Sequence, residues 1–136
     1  MYKSRLLWCM ALCLLVIPNV WADEMIDVYF SSLENLVPVQ VCNNRNANYV
    51  VKMNAADDYA GRPVNSGACG YAANELWYLM GTAESFRMYS HVAGMSLALT
   101  LDGLDGGTAA TLTAEGTELC LTPQPDGSYA ISPKGN

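Results

Sequence analysis

The chain has 136 residues, with seven Lys or Arg against thirteen Asp or Glu and a formal charge of −6. That balance offers no basic stripe to follow a phosphate backbone, which argues against nucleic acid as a partner and equally against an anionic membrane surface. One histidine and five cysteines leave little material for a metal centre.

Lys3 and Arg5 precede a twelve-residue apolar run, Leu6 to Ile17, which Pro18 ends; Val20 and Ala22 then stand at −3 and −1 before Asp23. A membrane span needs roughly 20 apolar residues, so residues 1–22 read as a secretory signal peptide. The remainder, 23–136, suits one domain, placed in a secreted, periplasmic or extracellular setting with no membrane contact after cleavage. Removing Lys3 and Arg5 takes the formal charge from −6 to −8. Cys42, Cys69 and Cys120 remain, an odd number that leaves at least one thiol unpaired. A Cys42–Cys69 disulfide and buried reduced thiols both fit. Zinc does not, because the spacings are long and His91 is the sole histidine.

No stretch beyond residue 22 holds a 3.6-residue apolar period. Short apolar runs recur instead: IDVYF (26–30), VPVQVC (37–42), YVVKM (49–53), LWYLM (76–80), FRMY (86–89), SLALTL (96–101), AATLT (109–113), LCLT (119–122) and YAIS (129–132). Gly, Asn, Asp and Pro divide them, with turns at LDGLDGG (101–107) and PQPDG (123–127). Many short strands separated by turn chemistry predict an all-β sandwich or barrel. Asp102 and Asp105 lack the further carboxylates that a calcium loop requires.

The runs repeat. At an offset of 43 residues, Glu75, Leu76, Trp77, Phe86 and Met88 meet Glu118, Leu119, Cys120, Tyr129 and Ile131. A period near 40 residues belongs to propeller blades or trefoil lobes, and propellers need at least four blades. The expected fold is therefore all-β and β-trefoil-like, with lobes at about 39–85 and 86–128 and the first strand of a third at Tyr129. On that count the domain is incomplete, and the chain reads as a truncated module of a longer exported protein. An incomplete barrel would leave strand edges open to self-association.

GRPVNSGACGYAANELW (61–77) resembles the ricin B-type β-trefoil lectin repeat: Gly61, Pro63, Val64, Cys69, Asn74 and Trp77 fall in register, with Glu75 where that family has Gln. The resemblance implies a carbohydrate-binding module whose partner is a glycan or polysaccharide. It implies that Trp77 plugs the core and that Asn74 hydrogen-bonds a sugar hydroxyl; satisfying loop backbone is the alternative for Asn74. Glu75, Asp57 and Asp58 are the accompanying polar candidates. The family's Asp after the second strand is replaced by Lys52 or Asn54, and its stacking aromatic by Gly67. Tyr71 and Tyr78 are the substitutes for a stacking surface.

No Gly-x-Ser-x-Gly is present, and His91 stands apart from any nucleophile in a predicted turn, YSHVAG. Without an oriented base there is no covalent catalyst, so neither an enzyme nor a cofactor is expected. The alternative to sugar binding is a secreted β-module that engages or inhibits another protein through exposed loops.

Overall fold

A computed structural model describes residues 28–53, 60–103 and 109–135. The predicted signal peptide, Asp57, Asp58 and Asp105 lie outside them. Val28–Thr122 with Ala130–Asn136 form one compact unit, and Pro123–Tyr129 fall outside it. Taken by itself, that segment is a tight turn. The Gln124 and Gly127 amides donate to the Ser128 and Gln124 carbonyls at 2.9 and 3.0 Å, and Asp126 Oδ1 accepts from the Ser128 amide at 3.0 Å.

The fold is all-β. Eight strands are described: β1 Tyr49–Met53, β2 Val64–Ala68, β3 Trp77–Thr82, β4 Ser85–Ser90, β5 Ala98–Leu101, β6 Ala110–Thr113, β7 Leu119–Pro123 and β8 Tyr129–Pro133. The only helical element among the described residues is a 3-10 turn at Ala73–Glu75. β1 and β2 make a two-stranded sheet; the other six form a second sheet ordered β6-β5-β4-β7-β8, with β3 also on β4. Both sheets are open, as in a trefoil-like domain.

β4 organises the larger sheet. One edge pairs with β3 over its whole length, from Thr82↔Ser85 to Trp77↔Ser90. The other edge is shared, with Phe86 opposite Leu119 of β7 and Tyr89 opposite Ala98 of β5. Its sequence, SFRMYS, alternates, so Phe86, Met88 and Ser90 are buried while the residues between them are half-buried. The β3–β4 hairpin turns tightly because Gly81 takes φ 134, a conformation side chains avoid, and a Cβ there would collide with the Ser85 carbonyl oxygen.

Phe86 and Met88 join Met53, Val64, Trp77, Leu79, Leu99, Leu112 and Leu119 in the core. Trp77 is 1% exposed, and its Nε1 donates to the Val51 carbonyl at 2.9 Å, so the ring fills the core without stranding its polar atom. Phe30 packs edge-on to Phe86 at 5.5 Å between ring centroids.

Seven of the nine apolar runs coincide with strands. Of the other two, VPVQVC makes only the isolated bridges Val39↔Trp77 and Cys42↔Val50, and the described part of IDVYF makes none, the bridge Ser31↔Met80 falling just after it. Pro38 has no amide to extend a ladder from Val39, yet Val28, Phe30, Val39 and Val41 still pack on the core. Conversely, β2 (VNSGA) carries one buried residue, Val64, and its strand character comes from its partner: Tyr49↔Ala68 through Met53↔Val64. The repeat sets Cys120 against Trp77, yet it is Leu119, not Cys120, that is fully buried like Trp77; β3 and β7 start 42 residues apart, and β4 and β8 start 44 apart. A slip of one residue exchanges the two faces of a strand.

Cys42, Cys69 and Cys120 are free thiols. Cys42 lies opposite Val50, and Val50 opposite Gly67. Two strand spacings, roughly 10 Å, therefore separate Cys42 even from Gly67, whereas a disulfide requires Cα atoms within about 7 Å.

Trp77→Ala is expected to cost about 3–5 kcal/mol by creating a large core cavity, and Gly81→Ala about 1–3 kcal/mol through strain at the hairpin. Urea denaturation midpoints check both.

Candidate functional site

The residues singled out by the ricin-type resemblance meet in the segment joining β2 to β3. Cys69 continues from β2, its amide donating to the Asn48 carbonyl at 2.7 Å. Gly70, Tyr71, Ala72 and Ala73 are exposed, and the 3-10 turn closes on Glu75.

Glu75 is 0% exposed. Its Oε2 accepts from the Gly70 amide at 2.7 Å and from Lys52 Nζ at 3.4 Å; its Oε1 accepts from the Tyr71 amide at 3.1 Å and from Gln40 Nε2 at 3.3 Å. Burial alone would raise this carboxyl, but the Gly70 amide, the Cys69 thiol and the Lys52 ammonium outweigh it and bring it below the ordinary value of 4.5. With its oxygens committed inward, Glu75 organises the segment and presents no surface to a ligand.

Asn74 is half-buried and donates from Nδ2 to the Met53 carbonyl at 2.6 Å, tying the turn to the end of β1. Among the described residues its Oδ1 has no donor. Of the two readings for Asn74, the backbone bond is thus the one made. Tyr71 is 89% exposed and holds φ 55, a left-handed backbone that bulky residues seldom adopt. Tyr78 does not join it. That ring is 9% exposed in β3 with its hydroxyl 2.7 Å from His91 Nδ1, so it offers no stacking face. Asp57 and Asp58 lie outside the described residues.

Lys52 is the functional departure whose consequence the sequence conceals. Its Nζ donates to the Ala68 carbonyl at 2.8 Å and pairs with Glu75, so its stem must cross β2. A Cβ added to Gly67 would meet Lys52 Cδ at 3.2 Å. The place that a stacking aromatic takes in the resembling family is therefore covered by an aliphatic stem. Gln40, 35 residues before Glu75, gives no local signal; only the register Val39↔Trp77 brings it in.

The second copy of the repeat differs. Glu118 is 40% exposed at its side chain, bonds Ser85 Oγ and pairs with Lys134 at 3.1 Å. The Ser85 hydroxyl, and then Lys134, hold its carboxyl below the ordinary range. Among the described residues no three His, Cys, Asp or Glu side chains group so as to hold a metal ion.

No family model matches the chain, and no curated protein matches it. Among solved structures it is similar to part of a mosquitocidal holotoxin, with a TM-score of 0.58 at 17% identity, over 73% of this chain and 13% of that one. At that identity the likeness shows the fold alone.

Both glutamates have folded pKa values below their unfolded ones, so their stabilisation is complete above 4.5 and is lost as pH falls through the lowered values. Stability should therefore decline below about pH 4.5, and Glu75→Gln should flatten that decline. Urea midpoints collected across the acid range for both proteins measure it.

Proposed function

We propose that this chain is an exported carbohydrate-binding module, ricin B-like in ancestry, which takes a glycan or polysaccharide on a shallow surface and performs no catalysis. One observation carries the reading: Tyr71 is held out from the fold at 89% exposure, three residues from the half-buried Asn74. An exposed aromatic face covers the apolar face of a sugar ring, and an amide oxygen with spare capacity accepts from its hydroxyls. The match of Gly61, Pro63, Val64, Cys69, Asn74 and Trp77 to the lectin repeat supports the same reading. Similarity to a 13% portion of a holotoxin supports a module of the kind built into longer chains. The ligand is a sugar surface approached from outside, because Lys52 covers the Gly67 position.

A second reading, a protein-interaction module, draws on a different loop. Ser32 and Asn35 close a turn through reciprocal backbone bonds of 3.0 and 3.1 Å, leaving Leu33 83% exposed at its tip. Ser31 Oγ clamps the base, accepting from the Val37 amide at 2.8 Å.

A glycan array on wild type, Tyr71→Ala, Asn74→Ala and Leu33→Ser separates the two. The first reading expects glycan binding that Tyr71→Ala reduces at least about tenfold, the effect of about 1.4 kcal/mol, and that Leu33→Ser leaves intact. A wild type that binds no glycan on the array sinks it in favour of the second.

A further inference from the structure

An exposed ring gains nothing from burial, yet Tyr71 sits at φ 55, where a side-chain-bearing residue is disfavoured. Something must hold it there. The consecutive amides of Gly70 and Tyr71 converge on one carboxylate, at 2.7 Å to Oε2 and 3.1 Å to Oε1 of Glu75. Consecutive amides aimed at one anion form a nest, which favours unusual backbone at the residues that build it. The carboxylate is in turn fixed from the far side by Lys52 and Gln40. Space is tight as well, since a Cβ at Gly70 would lie 3.3 Å from Oε2.

The geometry points to Glu75 as the positioning residue of the sugar site: it never meets the ligand, but by pinning two successive amides it sets the direction in which the Tyr71 ring is presented. This rests on the carbohydrate reading for its consequence, not for its geometry. The chemistry distinguishes Glu from Gln here. A carboxylate only accepts, and four donors surround it; a carboxamide has one accepting oxygen and would turn an NH2 group towards another donor. Glu75→Gln keeps the shape, and the resembling repeat has Gln at this place, so the variant is expected to fold. One amide of the nest is then unpaired, and the left-handed backbone of Tyr71 is no longer fixed.

Two readouts on the full chain test this. Hydrogen exchange at the Gly70 and Tyr71 amides, followed by NMR without ligand, reports the nest. Titration with the best glycan from the array reports the ring. Glu75→Gln should lose at least about tenfold protection at one of those amides and about tenfold in glycan affinity. Glu118→Gln, which alters the corresponding carboxylate of the second copy on Ser85 and Lys134 and leaves Gly70, Tyr71 and Glu75 untouched, serves as the comparison for destabilisation and should keep affinity within about threefold. Unchanged amide protection in Glu75→Gln overturns the proposal. So do equal affinity losses in the two variants. If wild type binds no glycan, the sugar reading falls and takes the ligand role of Glu75 with it; the exchange data then decide separately whether Glu75 fixes the Tyr71 backbone.

Discussion

A buried carboxylate constrains everything near it. Glu75 has no exposed surface, and an ionised group taken out of water must recover its lost hydration from protein donors. Those donors come from four places: Gln40 in the segment that bridges to Trp77, Lys52 in β1, and the Gly70 and Tyr71 amides after β2. Satisfying one side chain therefore fixes the two-stranded sheet against the start of β3. The same junction is closed by Trp77 Nε1 on Val51 and Asn74 Nδ2 on Met53, both side chains bonding carbonyls of β1. Removing Glu75 would leave Lys52 reaching inward to a single carbonyl and two amides with nothing to meet. The exposed face of the loop is shaped from beneath by a group no ligand would touch.

The arrangement also separates two jobs that the repeat assigns to one motif. Trp77 is wholly structural: 1% exposed, in the core, with its one donor used. Asn74 is divided, since Nδ2 is spent on Met53 while Oδ1 has no donor among the described residues. Tyr71 is wholly outward. Three residues within seven positions thus run from core plug to surface, and the intervening Glu75 takes up the Gly70 and Tyr71 amides along the way.

How far this was legible depends on what each feature is made of. Strands with their own apolar residues announced themselves: SFRMYS alternates because one face meets the core, and YVVKM and ALTL carry apolar anchors without alternating. β2 did not, because a strand with one buried residue owes its pairing to the register of β1. IDVYF and VPVQVC misled in the other direction, since apolar side chains packed on a core need not be laddered. The candidate site divides likewise. Asn74 and Tyr71 were legible from the motif and composition, but the burial of Glu75 was not. Charge in a loop segment ordinarily means solvent, and the neutralising Lys52 and the hydrogen-bonding Gln40 lie 23 and 35 residues away. Tyr78 was misread because nothing local distinguishes an exposed strand tyrosine from one whose hydroxyl is met by His91.

On the proposed carbohydrate reading, Lys52 decides what kind of recognition this surface can support. A pocket for a single sugar needs walls on several sides, so that most of the ligand is removed from water. Here the wall that an aromatic at Gly67 would provide is absent, and the Lys52 stem lies where that ring would stand. The ammonium cannot swing out cheaply to reopen it, because its departure would leave the fully buried Glu75 without its ion partner. What remains is one projecting ring and one amide oxygen, a contact that buries a ring face and little else. Such a contact is weak alone and becomes useful by repetition, when several sugar units on one surface or several modules in one chain engage together and the second contact is made at high effective concentration. A fixed ring suits that mode better than a mobile one, since each contact then forms without first paying to order the loop. If the proposed reading holds, a buried acid that holds an exposed tyrosine in a strained posture suits polysaccharide surfaces, where the energy per contact is small and preorganisation is the term that the protein can still improve.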